Sequence, residues 1–141
     1  MSNEFKQISL KPGFMKHNGG IFFRTISENE YQFKATINKN HLNAAGITHG
    51  GFIAALVDSG AGTAAHRAAA GSPCVTISLE LKFISTVKLG QKLIGNTKIQ
   101  KKTKSMVFLT CELVAEEKIV ATASGVWKIL NKKLPGAGPG G

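Results

Sequence analysis

The segment from His41 to Asp58 combines polar loop residues, paired glycines and a single acid. Asp58 is the only aspartate in the chain, and it follows the apolar run Phe52 to Val57. Burying an ionised carboxylate without partners among such residues costs several kcal/mol, so a compensating role is expected. One such role is that of a general base. Alternatively, Asp58 points to solvent or caps a neighbouring loop.

The paired glycines Gly50 and Gly51 come at the predicted start of a helix, where backbone N–H groups lack helical partners. Without side chains, these donors are open to a substrate carbonyl or anion, and the helix dipole adds to them. They therefore suit the oxyanion of an acyl-transfer reaction. Asn43, earlier in the same loop, supplies a neutral amide that can donate to a carbonyl or hold a water molecule. The segment thus predicts a cradle for an acyl oxygen, followed by a base.

A long helix must present these groups, and the apolar run predicts that it begins near Gly51 and extends to about Ala69. Its many small residues would let a curved sheet approach closely, as suits a central, wrapped helix. Two strands are predicted before the helix and four after it, which favours an α+β fold with an antiparallel sheet. The predicted strands are Ile21–Ile26, Tyr31–Ile37, Val75–Phe83, Lys92–Lys102, Ser105–Glu116 and Lys118–Leu130, the last two joined as a hairpin.

The size of the chain, 141 residues and 15.0 kDa, fits one domain of ordinary globular composition. Its apolar runs are too short to span a membrane, and its N-terminus lacks the apolar core of a signal peptide. Cys74 and Cys111 follow no metal spacing and are interpreted as reduced core residues of a cytoplasmic protein. Neither a metal nor a cofactor is predicted. The remaining histidines, His17, His41 and His66, are interpreted as surface or loop residues.

The net charge of +10 comes mainly from lysine, with a cluster at Lys98, Lys101, Lys102 and Lys104. Nucleic-acid binding is one interpretation, but no aromatic residues alternate with the lysines and no recognition motif accompanies them. A solvated surface is the simplest explanation of most lysines. A lysine-rich site entrance would also suit coenzyme A, which carries several phosphate charges.

The motif Asn43-x-x-Gly46-x-x-His49-Gly50-Gly51-x-x-x-x-Leu56-x-Asp58 resembles the signature of hotdog-fold acyl-CoA thioesterases. The similarity is greatest to the phenylacetate-pathway (PaaI-like) and mammalian thioesterase-superfamily type with a catalytic aspartate, and it covers roughly Gly20 to Leu130. It implies an antiparallel sheet wrapped around one long helix. The corresponding domains are an N-terminal arm or short helix (1–19), a hotdog domain (20–131) and a flexible Gly/Pro tail (132–141).

The resemblance also implies residue roles. The Gly50 N–H would bind the thioester oxygen, with Asn43 polarising the carbonyl or positioning water. Asp58 would be the general base or, alternatively, a nucleophile that forms an anhydride, and Thr76 would orient the water. Substrate contacts are expected at His49, Gly51, Lys101, Lys102, Lys104 and Ser105. The alternative for His49, which the sequence favours over a direct catalytic role, is to fix the loop by hydrogen bonding. The role of Thr76 conflicts with the alternation of its strand. If Val75 and Ile77 face the helix, Thr76 points away from it, unless the strand bulges or begins at this point.

Self-association as a homodimer or dimer of dimers follows from the same resemblance, with Asn43 and Gly50 of one subunit meeting Asp58 and Thr76 of the other. An acyl-CoA substrate is therefore expected, without nucleic acid or a membrane span. The acyl group is aryl or fatty. The alternative is a hotdog protein that binds acyl-CoA without hydrolysing it.

Overall fold

The computed structural model describes residues 4–131 and shows a seven-stranded antiparallel sheet curved around one long helix. The elements, in chain order, are β1 (Lys6–Gln7), α1 (Phe14–His17), β2 (Phe22–Thr25), β3 (Glu30–Thr36), a 3₁₀ turn (Lys39–His41), α2 (Gly50–Ala68), β4 (Cys74–Phe83), β5 (Lys92–Lys102), β6 (Met106–Ala115) and β7 (Lys118–Ile129). The strand order is β1-β2-β3-β5-β6-β7-β4. The predicted α+β hotdog architecture is confirmed.

The central helix α2 begins and ends within one residue of its predicted limits. His49 caps its N-terminus, with Nδ1 accepting a hydrogen bond from the Gly51 N–H. The helix ends at a turn that includes Gly71. This glycine adopts a left-handed backbone conformation, with φ of 86°. The helix contacts all of the strands from β3 to β7, so the sheet covers it on several sides. Its position inside the sheet explains why it is rich in small residues.

The closest approach of helix and sheet occurs at Phe33, whose ring lies between Gly60 of α2 and Gly95 of β5. A β-carbon at either glycine would overlap the ring. Phe33 is completely buried at the centre of the core. The two glycines therefore set how closely α2 packs against the sheet.

The sheet differs from the predicted pattern in β4, where the pairing with β7 passes from Thr76 directly to Ser78 and leaves Ile77 as an extra residue. Thr76 pairs with the buried Trp127 and shares its inward face, while Ile77 is 55% exposed. A β-bulge at Ile77 reverses the side-chain order at this point, which is one of the two alternatives under which Thr76 faces the helix.

The hairpin between β6 and β7 turns at Glu116 and Glu117, as predicted. Both residues have positive φ, 49° and 67°, as a tight type I′ hairpin turn requires. Such turns favour asparagine and glycine, so these two glutamates adopt a costly conformation. The turn is exposed and lies away from the core.

The N-terminal segment contributes β1, which pairs with β2 at one edge of the sheet, and the short helix α1. The predicted tail, 132–141, lies outside the described residues, as do residues 1–3. Both cysteines are free thiols. Cys111 is buried, and burial raises its pKa to about 12. Neither described helix is long and apolar enough to cross a membrane.

Candidate functional site

Asp58 and Thr76 form one half of the candidate site. Thr76 Oγ1 donates a hydrogen bond of 2.7 Å to Asp58 Oδ1, and both residues are exposed in the single chain. The bulge at Ile77 makes this contact possible by placing Thr76 on the helix-facing side of β4. The carboxylate is thus accessible to solvent and oriented by a hydroxyl, rather than buried without a partner.

Asn43 belongs to a second half, in the loop before α2. Its Oδ1 accepts from the backbone N–H groups of Ala45, at 2.9 Å, and Ile47, at 3.3 Å. These bonds fix the amide orientation, since only the oxygen can accept. Nδ2 has no acceptor among residues 4–131, and Asn43 lines a cavity of about 300 Å³. The amide can therefore donate to a bound carbonyl or water.

Gly50 lines the same cavity at the first position of α2. Its N–H lies in the first turn, where no helical carbonyl is available. The next N–H, of Gly51, is occupied, because it donates to His49 Nδ1 at 2.7 Å. The Gly50 N–H has no hydrogen-bond partner among residues 4–131, and His49, which is exposed, caps the helix.

The cavity is also lined by apolar side chains. Phe83, which is 57% exposed, lies where a β-carbon on Gly50 would be 3.4 Å from its ring. The other lining residues are Ile47, Thr48, Ile53, Ile84, Ser85 and Thr86. A space with one apolar side and two amide donors suits an acyl or thioester group.

The two halves are separated along α2. Asp58 lies eight positions after Gly50 along the helix, which corresponds to about 12 Å at the helical rise of 1.5 Å per residue. A general base must come within hydrogen-bond reach of the water that it activates. Within one protomer, the Gly50 N–H and the Asp58 carboxylate therefore lie at different levels of α2.

Three lysines of the predicted cluster, Lys101, Lys102 and Lys104, lie at the end of the sheet that carries Thr76, whereas Lys98 lies further along β5 and pairs with Glu30. Lys102 pairs with Val107, which pairs with Trp127, the partner of Thr76. Three strand spacings of about 4.8 Å place Lys102 roughly 14 Å from Thr76. Lys101, Lys102 and Lys104 are exposed and have no ion-pair partner in the described part of the chain. Ser105 is exposed in the adjoining turn, where Thr103 Oγ1 accepts from the Ser105 and Met106 N–H groups.

A larger depression, of about 680 Å³, lies on the outer face of the sheet. Polar side chains cross it in a hydrogen-bonded row, in which Arg24 donates to Gln32 and Gln32 donates to Asn96. It contains none of the predicted site residues. It is formed mainly by residues of β2, β3, β5, β6 and β7.

Two histidines differ from their predicted setting, and the first, His66, lies half-buried in the last turn of α2. His41 is only 2% exposed, although the sequence suggested a surface or loop histidine. Its ring stacks on Phe52 of α2, with ring centroids 3.6 Å apart. The spacing of the residues could not reveal this contact, because it depends on how the loop folds back onto the helix. Among residues 4–131, no three His, Cys, Asp or Glu side chains are placed to hold a metal ion.

A family model for the thioesterase superfamily matches residues 45–122, more than half of the chain. A candidate esterase of Pseudomonas aeruginosa is 32% identical over 112 residues, covering 79% of this chain and 84% of that protein. Mouse acyl-coenzyme A thioesterase 13 is 30% identical over 102 residues, covering 72% of this chain and 73% of its own. The chain belongs to the thioesterase superfamily.

Solved structures show the same fold. Zebrafish thioesterase superfamily member 2 aligns with a TM-score of 0.77 and 20% identity, covering 86% of this chain and 90% of that one. The PaaI protein of the Escherichia coli phenylacetic acid degradation operon aligns with a TM-score of 0.72 and 20% identity, covering 82% of this chain and 83% of that one. A thioesterase-like protein of Streptococcus pneumoniae, solved with coenzyme A, aligns at 0.73 and 16%, covering 82% and 89%. The predicted resemblance to PaaI-like hotdog thioesterases is confirmed.

Proposed function

We propose that this protein is an acyl-CoA thioesterase that hydrolyses aryl- or fatty acyl-CoA to the free acid and coenzyme A. The observation that carries the proposal is the hydrogen bond from Thr76 to Asp58. A carboxylate that is exposed, oriented by a hydroxyl and positioned on a hotdog helix is suited to activate water. Membership of the thioesterase superfamily supports a thioester as the bond that is cleaved.

In the proposed reaction, Asp58 removes a proton from water, and the resulting hydroxide attacks the thioester carbonyl carbon. The carbonyl oxygen becomes an oxyanion that accepts hydrogen bonds from the Gly50 N–H and from Asn43 Nδ2. The tetrahedral intermediate then collapses, the carbon–sulfur bond breaks, and protonated Asp58 returns its proton to the coenzyme A thiolate. Thr76 keeps the carboxylate oriented toward the water throughout.

The site becomes complete in a proposed homodimer, because its two halves are too far apart in one protomer. Strand β4 is the part of the molecule best suited to this contact. It has ten residues and pairs on one side only, with β7, within the described residues. Exposed strand edges commonly pair with another chain. A second copy placed along β4 would extend the sheet and bring its Asn43 and Gly50 toward Asp58 and Thr76.

The proposed substrate follows from the surroundings of the two halves. The apolar wall at Phe83 and Ile84 would contact the acyl chain or the pantetheine arm, and Lys101, Lys102, Lys104 and Ser105 would contact the phosphates. The mouse relative is named as an acyl-coenzyme A thioesterase, and the Streptococcus pneumoniae structure contains coenzyme A. We further propose a cytoplasmic protein, where acyl-CoA is available, that requires no metal or cofactor for this reaction.

The experiment that tests the proposal measures thiol release from a panel of aryl- and fatty acyl-CoA esters. We expect turnover of at least one ester, and Asp58→Asn should lower kcat by about 100-fold or more, the scale of losing a general base. Glu112→Gln, at an exposed acid on the outer face of the sheet, is the matched control and should retain wild-type kcat.

Calorimetry on the same proteins separates hydrolysis from binding. Folded Asp58→Asn that still binds acyl-CoA but does not turn it over would support Asp58 as the base. Wild-type protein that binds acyl-CoA without releasing thiol would indicate instead an acyl-CoA-binding protein. Near-normal kcat in folded Asp58→Asn would contradict the mechanism.

A further inference from the structure

His41 occupies a buried position between the N-terminal segment and α2. It ends the 3₁₀ turn Lys39–His41, and its ring is 2% exposed. Both ring nitrogens lie within hydrogen-bond distance of backbone groups: Nδ1 of the Asn38 nitrogen, at 3.0 Å, and Nε2 of the Asn18 carbonyl oxygen. The ring is therefore held at both edges as well as on one face.

These contacts define the protonation of the ring. A backbone N–H can only donate, so Nδ1 must accept from Asn38 and carry no proton. The proton then resides on Nε2, which donates to the Asn18 oxygen. His41 is thus a neutral imidazole in one tautomer, assigned here from its hydrogen-bond partners.

The same residue contacts both ends of the loop 42–49, which carries Asn43 and leads to Gly50. Its ring stacks on Phe52, two residues after Gly50, with an angle of 9° between the ring planes. Its carbonyl oxygen accepts from the His49 N–H at 2.8 Å. His49 in turn caps α2 by accepting from Gly51. The placement of the first turn of α2 therefore depends on His41 through a side-chain contact and a backbone contact.

We propose that His41 is a positioning residue for thioester hydrolysis, which holds the Gly50 N–H and the Asn43 amide where the oxyanion forms. This proposal rests on the proposed function and adds a residue that touches neither substrate nor water. A phenylalanine at position 41 could stack on Phe52 but could not form hydrogen bonds with the backbone groups of Asn38 and Asn18. Histidine is the side chain that combines an aromatic face with an acceptor and a donor at its two edges.

Two substitutions separate the contacts. His41→Phe keeps an aromatic ring for the stack and removes both hydrogen bonds, whereas His41→Asn keeps an acceptor for the Asn38 N–H and removes the stack. Misplacing a catalytic group by about 1 Å can cost about 100-fold in rate, so we expect kcat to fall about 10- to 100-fold in His41→Phe. The loss should be smaller in His41→Asn. KM for acyl-CoA should change by less than about threefold, because oxyanion donors act mainly in the transition state.

His66 supplies the matched control at the opposite end of the same helix. It is half-buried, and its Nδ1 lies 2.9 Å from the Ser72 carbonyl oxygen. His66→Phe should retain wild-type kcat once the rate is corrected for the folded fraction. Wild-type kcat in folded His41→Phe and His41→Asn would overturn the proposal, as would an equal kcat loss in His66→Phe.

Hydrogen–deuterium exchange without ligand provides a readout that does not depend on activity. Amides of residues 42–51 should exchange faster in both His41 variants than in wild type or His66→Phe. Unchanged exchange in that segment would overturn the positioning role. A wild-type protein that releases no thiol from any ester would overturn the proposed function instead, and the exchange data would still decide whether His41 holds the loop.

Discussion

Thr76 reaches Asp58 because strand β4 contains one residue more than its partner strand requires. The bond between Thr76 Oγ1 and Asp58 Oδ1 is 2.7 Å long, and the extra residue, Ile77, follows Thr76 directly. Without the bulge, the alternation of a strand that buries Leu79 and Leu81 would turn Thr76 away from the helix. The bulge therefore combines two requirements in one strand, a hydroxyl beside the acid and apolar residues toward the core.

The hydroxyl of Thr76 is expected to matter more than its methyl group. A hydrogen bond to a charged group contributes about 1.5–3 kcal/mol, so Thr76→Val should lower kcat about 10- to 100-fold. Thr76→Ser keeps the donor and should retain most of the activity. Thiol-release kinetics on the best acyl-CoA ester, corrected for folded protein, measures both variants. Equal activity in Val and Ser variants would exclude a role for the hydroxyl.

Shared sites predict complementation between two inactive proteins. In a hybrid dimer of Asn43→Ala and Asp58→Asn subunits, one site collects both substitutions and the other collects neither. The purified hybrid should therefore show about half of the wild-type activity per dimer, from the two-fold symmetry of the interface. Co-expression with two different tags, followed by purification on both, provides the hybrid. Activity no higher than that of the parent mutants would place the whole site within one subunit.

The lysine cluster should recognise phosphate rather than the thioester. Replacing Lys101, Lys102 and Lys104 together by glutamine should raise KM for acyl-CoA and leave KM unchanged for an N-acetylcysteamine thioester, which has no phosphates. The effect on acyl-CoA should diminish at high salt, because exposed charges are screened. The control replaces three exposed lysines elsewhere, Lys39, Lys92 and Lys118. A similar change in KM for both substrates would indicate that the cluster does not bind coenzyme A.

The β6–β7 turn offers a gain in stability. Glu116 and Glu117 adopt positive φ, a conformation that costs an ordinary residue about 1–2 kcal/mol and glycine almost nothing. Replacing the pair by Asn-Gly should raise the free energy of unfolding by about 1 kcal/mol in urea titrations, with kcat unchanged. Glu117→Gln, which keeps the backbone cost, serves as the control. A stability gain of equal size in the control would attribute the effect to charge instead.

The sequence predicted the architecture well because its signals are local. Helix α2 could be predicted from residues within or next to it: the apolar run at Phe52, its small residues and the turn at Gly71. The same holds for the Glu116–Glu117 turn between two alternating strands. The types of the helices and strands, and most of their first and last residues, can therefore be predicted from residues that are close in the chain.

Features that depend on contacts between distant residues were less predictable. The sequence raised a bulge in β4 as one way to turn Thr76 toward the helix, but only the pairing with β7 reveals the extra residue, Ile77. His41 resembled a loop histidine because its neighbours, Asn18 and Phe52, come from other segments of the chain. The residue types of the site could be named from the motif. Their division between two subunits was also implied by the resemblance, and it stays a prediction.

Phe33 also limits how this sequence can change over evolutionary time. A larger residue at Gly60 or Gly95 has no room unless a smaller side chain replaces Phe33. A smaller residue at position 33 alone leaves a void, which the two glycines cannot fill because they have no side chains. Each single step away from the present combination is therefore unfavourable, although a coordinated change of ring and glycine could restore the packing. The three positions, far apart in the chain, are expected to vary together or not at all.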